Sequence, residues 1–146
     1  KHPSKAPPGG ECRPDIVLKG LKSEGYGLSW SPVNKGHIVS AGEDDYVCHW
    51  DVTQYSKTST SLNPLRKYHG HTGQINDVDW HHTHDYMFAS VGDDCLLNVW
   101  DTRNEGPKPA NSEKAHKQEI NAVSFAPYSE HLIATGSADS TVALWD

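Results

Sequence analysis

Residues 70–101 read GHTGQINDVDWHHTHDYMFASVGDDCLLNVWD and contain every landmark of a unit that the chain repeats. The unit closes on Trp100-Asp101, and the same pair stands at Trp50-Asp51 and at Trp145-Asp146. The spacings of 50 and 45 residues between these pairs match the period of a unit of four short strands. The sequence therefore predicts about three copies of one structural repeat.

Further landmarks keep the same register inside each unit. His71 and His116 stand 29 residues before Trp100 and Trp145, and the first unit has Leu21 at that place. Six residues before each Trp lies an Asp, and four residues before that Asp lies a Ser or Thr. The complete set is Ser40, Asp44 and Trp50; His71, Ser90, Asp94 and Trp100; and His116, Thr135, Asp139 and Trp145.

These residue types predict a buried chain of hydrogen bonds in each unit. The Asp accepts from the His ring, the His bonds the hydroxyl group, and the hydroxyl group reaches the indole N–H of the Trp. A buried polar atom left unpaired costs about 1–3 kcal/mol, so such a chain is stable only when it is complete. Because Leu21 cannot take part, we expect Ser40 and Asp44 to be hydrated or bonded to backbone, and the first unit to be the weakest.

Strand signals between the landmarks alternate as a four-stranded meander requires. The predicted strands are 25–31, 37–41, 46–51 and 65–68 in the first unit, 75–80, 87–91 and 96–101 in the second, and 120–125, 132–136 and 141–146 in the third. Residues 53–64 and 102–111 are predicted to be exposed loops, and residues 15–18 an outer strand of a further blade. Trp30, Trp80 and Phe125 recur at one place on the innermost strands and are predicted to be core. The fold class is therefore all-β, a WD-repeat β-propeller of about three blades.

The predicted organisation follows from these boundaries. Residues 1–13 form a linker or arm, residues 14–51 the first repeat, degenerate because it lacks the His, residues 52–101 the second repeat, and residues 102–146 a third repeat without its outer strand. Propellers of this kind have 4 to 8 blades, so three repeats do not close a ring. We expect the chain to be part of a larger propeller; the alternative is a small repeat stack that is capped by self-association.

Composition and motifs exclude several classes of function. With 13 Lys and Arg against 19 Asp and Glu, the net charge of -6 argues against a nucleic-acid interface. The sequence has no apolar run near 18 residues, so no membrane span is expected. The Ser, His and Asp of each repeat are assigned to a buried chain that no substrate could reach, so we expect no enzyme activity and no cofactor. His81, His82 and His84 lack the ligand pairs of a zinc site, and no metal is expected.

Particular stretches carry a more specific resemblance. They are His-Pro-Ser-Lys at 2–5, Gly-Glu-Cys at 10–12, Glu-Gly-Tyr-Gly-Leu-Ser-Trp at 24–30, Val-Trp-Asp-Thr-Arg at 99–103, Pro-Tyr-Ser-Glu at 127–130 and Ala-Thr-Gly-Ser-Ala-Asp at 134–139. On these strings the chain resembles the retinoblastoma-associated, histone-binding WD-repeat family, which serves chromatin-assembly, deacetylase and Polycomb complexes. Generic WD repeats share the Trp-Asp pairs but not these strings.

The resemblance implies a nuclear scaffold subunit with a seven-bladed ring, of which this chain covers the middle blades. It implies as partners histones H3 and H4, Arg/Lys-rich cofactor peptides and other subunits of chromatin-modifying complexes. The family grips histone H4 with an N-terminal helix and a late-blade loop, and neither element is among these residues. Basic peptides such as the histone H3 N-terminal tail lie across the open end of the family's central channel.

By match to the family's pattern, five residues of this chain would line that channel end: Glu24, Tyr26, Asn76, Asp93 and Asn121. Asn76 departs from the pattern, which has Glu there, and the lost charge is expected to weaken the attraction for a cationic tail. The repeat register agrees independently, because residues just before each innermost strand and each turn Asp share one rim, where Glu43 and Asp77 could add charge. The alternative is that Glu43, Asp45, Asp77 and Asp79 are solvated loop acids.

A second function is the alternative that the repeat leaves open. The chain could be a generic WD-repeat adaptor, such as a ubiquitin-ligase substrate receptor, whose channel reads a different peptide. Binding of a histone H3 tail peptide would separate the two functions.

Overall fold

The computed structural model describes residues 14–56 and 58–146, so the predicted arm over residues 1–13 lies outside the described residues. The strands, in chain order, are β1 Val17–Leu18, β2 Gly25–Trp30, β3 His37–Gly42, β4 Tyr46–Asp51, β5 Ser61–Leu62, β6 Arg66–His69, β7 Ile75–Trp80, β8 Met87–Gly92, β9 Leu96–Asp101, β10 Asn111–Lys114, β11 Ile120–Phe125, β12 Ile133–Ser137 and β13 Val142–Trp145. In these described ranges the only helix is a single 3₁₀ turn at Val52–Gln54, and none could cross a membrane.

Three antiparallel sheets form the body of the molecule. The first blade has the strand order β2-β3-β4-β6, the second β7-β8-β9-β10, and the third β11-β12-β13. Strand β7 packs between β2 and β11, so the first strand of each blade is the innermost one. This arrangement confirms the predicted fold class, an all-β structure made of propeller blades.

Two peripheral segments differ from the sequence-based expectation. Residues 15–18 were expected to form an outer strand of a further blade, but Val17–Leu18 instead pairs in parallel with Ser61–Leu62. Residues 53–64, expected to be entirely loop, therefore contain a short strand as well as part of the 3₁₀ turn. The backbone amides of Val17 and Lys19 donate to the carbonyl groups of Thr60 and Leu62, each at 2.9 Å, which holds the facing edges of the two strands together.

Two clusters of the hydrophobic core lie between the blades, and a third lies within the first blade around Trp50. Between the first and second blades, Val39 and Val47 of the first blade pack with Val78 and Trp80 of the second. Between the second and third blades, the cluster consists of Ala89, Val91, Leu97, Ile120, Val123, Phe125 and Ile133. Each innermost strand thus inserts its large side chains into the face of the blade before it, and stacking of neighbours is what buries them.

One core prediction is wrong. Trp80 and Phe125 are buried as expected, but Trp30 is 56% exposed. It occupies the same position on β2 that Trp80 occupies on β7, and it points away from the second blade. The exposure has a direct physical cause, since no blade in the described residues covers that side of the first blade.

His49 lies in the interface between the first and second blades. Its Nε2 is 2.8 Å from Nδ1 of His37, and its ring meets Trp80 edge-on at 5.4 Å between centroids. Burial is the main reason why the pKa of His49 falls from 6.5 to about 4, and the neighbouring His37 lowers the pKa further. The ring is therefore neutral in the folded protein at pH 5, where an unfolded chain carries the proton.

We expect the protein to lose stability as the pH falls from about 6.5 towards 4, because the unfolded chain binds a proton that folded His49 does not. Between about pH 7 and pH 5 this residue should account for about 2 kcal/mol. His49→Val, which copies Val99 of the second repeat, should remove that part of the pH dependence. Urea unfolding of both proteins at the two pH values measures the difference, and equal losses would contradict the assignment.

Candidate functional site

The second blade contains the predicted hydrogen-bond chain. Nε1 of Trp100 donates to Oγ of Ser90 at 2.8 Å, Ser90 lies 2.7 Å from Nε2 of His71, and Nδ1 of His71 lies 2.9 Å from the Asp94 carboxylate. An indole N–H can only donate and a carboxylate can only accept, so the donor and acceptor at every step are fixed. Trp100 donates to Ser90, Ser90 donates to His71, and His71 donates to Asp94. Burial alone would raise the pKa of Asp94, but the bonds from His71 and from two backbone amides hold it below its usual range.

The third blade repeats the same geometry with a threonine. Nε1 of Trp145 donates to Oγ1 of Thr135 at 2.9 Å, His116 lies 2.7 Å from that oxygen, and Nδ1 of His116 lies 3.1 Å from Asp139. The hydroxyl group of Thr141 bonds Asp139 as well, and it is the main reason why the pKa of this carboxyl is well below its usual range. Either Ser or Thr can therefore supply the hydroxyl group of this series of hydrogen bonds.

In the first blade Ser40, Asp44 and Trp50 do not bond one another, which was expected of Ser40 and Asp44 and corrects the assignment of Trp50 to a hydrogen-bond chain. Asp44 accepts from the amides of Lys22 and Ser23, Ser40 donates to the Gly27 carbonyl group, and Trp50 donates to the carbonyl group of Lys19. Leu21 offers no ring nitrogen to join them. As expected for a repeat that lacks the His, Ser40 and Asp44 turn to the backbone.

The starts of the innermost strands form one edge of the stack. Here the amide of a turn residue donates across to the carbonyl group of the residue before the strand, each time at 2.9 Å: Glu43 to Glu24, Asp93 to Gln74, and Ala138 to Glu119. A side chain at Gly42 or Gly92 would collide with the carbonyl oxygen of Glu24 or Gln74, so the first two repeats need glycine there. The third repeat has Ser137 at this place, and its hydroxyl group donates to the Glu119 carbonyl group at 2.8 Å. The three repeats therefore place equivalent side chains on a single rim, which we call the channel rim.

Glu24 and Tyr26 lie together on the channel rim. The Tyr26 hydroxyl group donates to Oε2 of Glu24 at 3.3 Å, and about half of the Tyr26 side chain is exposed. Loss of solvation is the largest cause of the raised pKa of Tyr26, and the carboxylates of Glu24, Glu43 and Asp93 add to it. An exposed aromatic ring thus lies on the rim with one carboxylate, Glu24, bonded to it.

Asn76 joins the second blade to the third on the same rim. Its Nδ2 donates to Oδ1 of Asp93 at 2.9 Å and to the Ile120 carbonyl group at 3.0 Å, and it lies 3.5 Å from Oδ1 of Asn121. Gln74 donates to the Asn76 amide oxygen at 2.8 Å. Of the five residues assigned to the channel end, the structure thus brings Asn76, Asp93 and Asn121 into one group and Glu24 and Tyr26 into another, and Asn76 orients Asp93.

The match to the histone-binding family did not identify Gln74 and Glu119 as rim residues, and it left open whether Glu43 is one. Glu119 and Gln74 occupy the place of Glu24 in the third and second repeats, while Glu43 occupies the place of Asp93. Aligning the repeats on Glu24 would have found the first two. The rim thus carries the carboxylates of Glu24, Glu43, Asp93 and Glu119, which can accept charge-assisted hydrogen bonds from Lys or Arg.

Asp77 does not belong to the rim, which corrects its assignment as a rim carboxylate. It accepts from the amides of Val78 and Val123 at 2.9 and 3.0 Å, and burial raises its pKa. Asp79 likewise accepts from the Phe125 amide at 2.9 Å and from the Ser29 hydroxyl group at 3.1 Å. These two acids satisfy backbone groups of neighbouring innermost strands, so they connect the blades and are not solvated loop acids.

The histidine run at 81–84 is engaged in turn and inter-blade bonds. Nδ1 of His81 accepts from the amides of Thr83 and His84, and the opposite nitrogen meets the Glu130 carbonyl group at 3.1 Å. His82 reaches the Phe125 carbonyl group. Among the described residues no group of three His, Cys, Asp or Glu side chains is placed to hold a metal ion.

Comparison with known families agrees with this architecture. A family model described as EIPR1 beta-propeller matches residues 30–145, which is most of the chain: residues 30–51 of the first repeat, the whole second repeat and all but the last residue of the third. β-Propeller domains of this type serve as scaffolds for protein interaction, and they are typically not enzymes. The chain, a stack of WD-type blades, belongs to the EIPR1 β-propeller family.

Proposed function

We propose that this chain is a histone-binding scaffold subunit of nuclear chromatin-assembly and chromatin-modifying complexes, and that its channel rim binds the Arg/Lys-rich tail of histone H3. The observation that carries the proposal is the rim at the exposed Tyr26 ring, where Tyr26 bonds Glu24 and where Glu43 and Asp93 occupy equivalent turn positions of the first and second blades. The sequence strings that resemble the histone-binding family support the choice of histone among basic peptides.

The rim suits a long cationic side chain. A Lys or Arg placed over the exposed Tyr26 ring gains a cation–π contact of about 0.5–2 kcal/mol, and the head group then lies among carboxylates. Arg has the additional advantage of a planar fork of donors that can bond a carboxylate in a bidentate manner. Because the acids come from two blades, an extended peptide that crosses the rim would meet them in succession.

Asn76 shapes the preference of this rim. It is neutral where the histone-binding family has Glu, and its amide group holds the Asp93 carboxylate at 2.9 Å. The rim therefore has less negative charge at the second blade, but the carboxylate of Asp93, which accepts the hydrogen bond, is held in a more fixed position. We expect weaker long-range attraction and stronger dependence on one well-placed Arg or Lys.

The remaining partners are part of the same proposal. Other subunits of chromatin-modifying complexes and Arg/Lys-rich cofactor peptides would compete for the rim. Histone H4 would bind through the family's N-terminal helix and late-blade loop, so we assign no H4 contact to the described residues.

Titration of a fluorescently labelled histone H3 N-terminal peptide tests the proposal. Glu24→Gln should weaken binding about 2–5-fold, since one exposed charge contact contributes up to about 1 kcal/mol. Combining it with Asp93→Asn should weaken binding further, and raising the salt concentration should have the same direction of effect. Glu105→Gln is the matched control, because Glu105 is an exposed acid in the loop after β9.

Two results would contradict the proposal: absence of binding at low salt, and equal weakening by the Glu24 and Glu105 variants. A scrambled peptide of the same charge separates recognition of the tail from general attraction of cations. One observation favours a second function, since the matching family model is an EIPR1 β-propeller and not a histone-binding family. If the H3 peptide fails to bind, a WD-type adaptor that reads a different peptide becomes the better assignment.

A further inference from the structure

A cavity of about 300 Å³ lies between the first and second blades, and we call it the inter-blade cavity. It is lined by Asn34, by residues in and beside β3, β4 and β6, and by Trp80 and Thr102 of the second blade. All four strands of both blades are described, so complete neighbours bound the cavity on both sides. The six residues of β2 run from the channel rim to the turn that contains Asn34. They span about 20 Å, so the cavity lies at the end of the blades opposite to the rim.

Aromatic rings form most of the wall of the inter-blade cavity. The His49 ring meets the Trp80 ring edge-on at 5.4 Å between centroids, and Nδ1 of His49 lies 3.5 Å from the Tyr68 hydroxyl group. The opposite nitrogen of His49 is occupied by its bond with His37. Leu65 forms the outer margin of the cavity and is about half exposed. The wall therefore favours an apolar group that enters from solvent, because burial of its surface is favourable.

The permanent charge of the cavity is positive. Among the described residues that line it, Arg66 is the only one that is always charged, and none is Asp or Glu. Its guanidinium group lies 4.7 Å from the centre of the Tyr68 ring and donates to the carbonyl groups of Thr102 and Gly106 at 3.3 and 2.6 Å. These two bonds use two of its five N–H donors, and the ion pairs of the described chain give Arg66 no carboxylate partner. The cavity thus offers charged donors to an anion.

The inner end of the cavity also lacks an acceptor. Trp80 lines this end from the innermost strand β7, and its buried indole N–H has no hydrogen-bond partner in residues 14–56 and 58–146. Phe125 stands at the same place in the third repeat, so packing at this position does not require an indole. A buried N–H without an acceptor is unfavourable, and an acceptor that enters the cavity is a group that would relieve it.

We propose that the inter-blade cavity binds an acidic side chain, Asp or Glu, that is flanked by apolar residues in a peptide segment of a partner protein. The carboxylate accepts charge-assisted hydrogen bonds from Arg66, and the apolar neighbours pack against Tyr68 and Leu65. The channel rim has the opposite charge, so the two sites select peptides of opposite sign. Since they lie at opposite ends of the same pair of blades, the chain can hold both peptides at once.

Titration of the intact chain, followed by ¹⁵N–¹H NMR, tests this site with two capped peptides at millimolar concentration. The probe is Ser-Leu-Glu-Phe-Ser, and its matched control is Ser-Leu-Gln-Phe-Ser. The probe should shift the indole N–H resonance of Trp80, which is identified by its absence from the Trp80→Phe spectrum, and the amide resonances of Leu65 and Thr102. The control peptide should bind about tenfold more weakly, because it loses the charge-assisted bonds to Arg66.

Two pairs of variants locate the binding. Leu65→Glu places a fixed carboxylate at the margin of the cavity and should weaken binding of the Glu peptide about tenfold, whereas Leu65→Gln has the same shape without the charge and should change it less than about twofold. Arg66→Gln should also weaken binding about tenfold. Arg103→Gln is its control, because Arg103 is a neighbouring exposed arginine that does not line the cavity. Urea unfolding should show that both Leu65 variants remain folded.

Three results would each overturn the proposal: unchanged Trp80 and Leu65 resonances at millimolar Glu peptide, equal binding of the Glu and Gln peptides, and equal weakening by Leu65→Glu and Leu65→Gln. Binding of the histone H3 peptide to the Leu65→Glu variant should equal its binding to the wild type, since Leu65 lies at the end of the blades opposite to the channel rim. Failure of the acidic peptide to bind would therefore leave the rim proposal intact.

Discussion

Replacing Ser90 by Ala is expected to lower the free energy of unfolding by about 2–5 kcal/mol. The Ser90 hydroxyl group is completely buried and is the only link between the Trp100 indole and the His71 ring. Its removal leaves a buried donor and a buried acceptor unpaired, and each costs about 1–3 kcal/mol. Because the three side chains form a continuous chain, the loss should exceed that of a single surface hydrogen bond.

The repeat provides its own controls for this prediction. Ser40→Ala removes the equivalent hydroxyl group from the first blade, where it bonds only the Gly27 carbonyl group, so the expected loss is about 1 kcal/mol. Ser90→Thr copies Thr135 of the third repeat and should restore most of the stability. Guanidinium unfolding of the three variants gives the comparison, and similar losses for Ser90→Ala and Ser40→Ala would show that the hydrogen-bond chain contributes little.

Much of the fold was predictable because its landmarks are polar groups with few possible partners. A buried indole N–H, imidazole ring and carboxylate can satisfy one another only in a fixed order, so their spacing in the sequence indicates one geometry. The same reasoning explains the first blade, where replacement of the His by Leu21 predicted that Ser40 and Asp44 would turn to the backbone. Most predicted strand boundaries lie within one residue of those in the structure, because turn residues and Trp-Asp pairs delimit the strands.

The errors concern contacts between blades. A pattern within one repeat shows which side chains lie on a face of the blade, but not whether another blade packs on that face. For this reason Trp30 was predicted to be core although it is exposed. The pattern also cannot show that Asp77 and Asp79 accept from amides of the next innermost strand, because that pairing depends on how far the blades approach each other.

At the candidate site, the sequence predicted which residues share the rim but not how they are connected. Glu24 and Tyr26 were found from a motif, whereas Glu119 and Gln74 required the repeat alignment at the start of the innermost strands. The role of Asn76 as a donor to Asp93 follows from a contact between residues 17 positions apart. The pairing of β7 with β8 shifts register between Ile75 and Asp77, beside Asn76, and the sequence did not predict this irregularity.

The second large effect is expected at Trp80. This side chain is only 1% exposed, and it packs edge-on against His49 and beside Phe88 in the core between the first two blades. Its indole N–H has no hydrogen-bond partner, so the contribution of Trp80 comes from packing. Truncation of a buried Trp to Ala typically costs about 3–5 kcal/mol, which is enough to unfold a marginally stable domain.

The account depends on blades that stack face to face, and equivalent tryptophans test this most directly. Trp80 and Trp30 occupy the same repeat position, but only Trp80 lies between two blades of the described chain. In dilute solution, urea unfolding should show a loss of about 3–5 kcal/mol for Trp80→Ala and less than about 1 kcal/mol for Trp30→Ala. Equal losses for the two variants, or a larger loss for Trp30→Ala, would contradict the stacked arrangement.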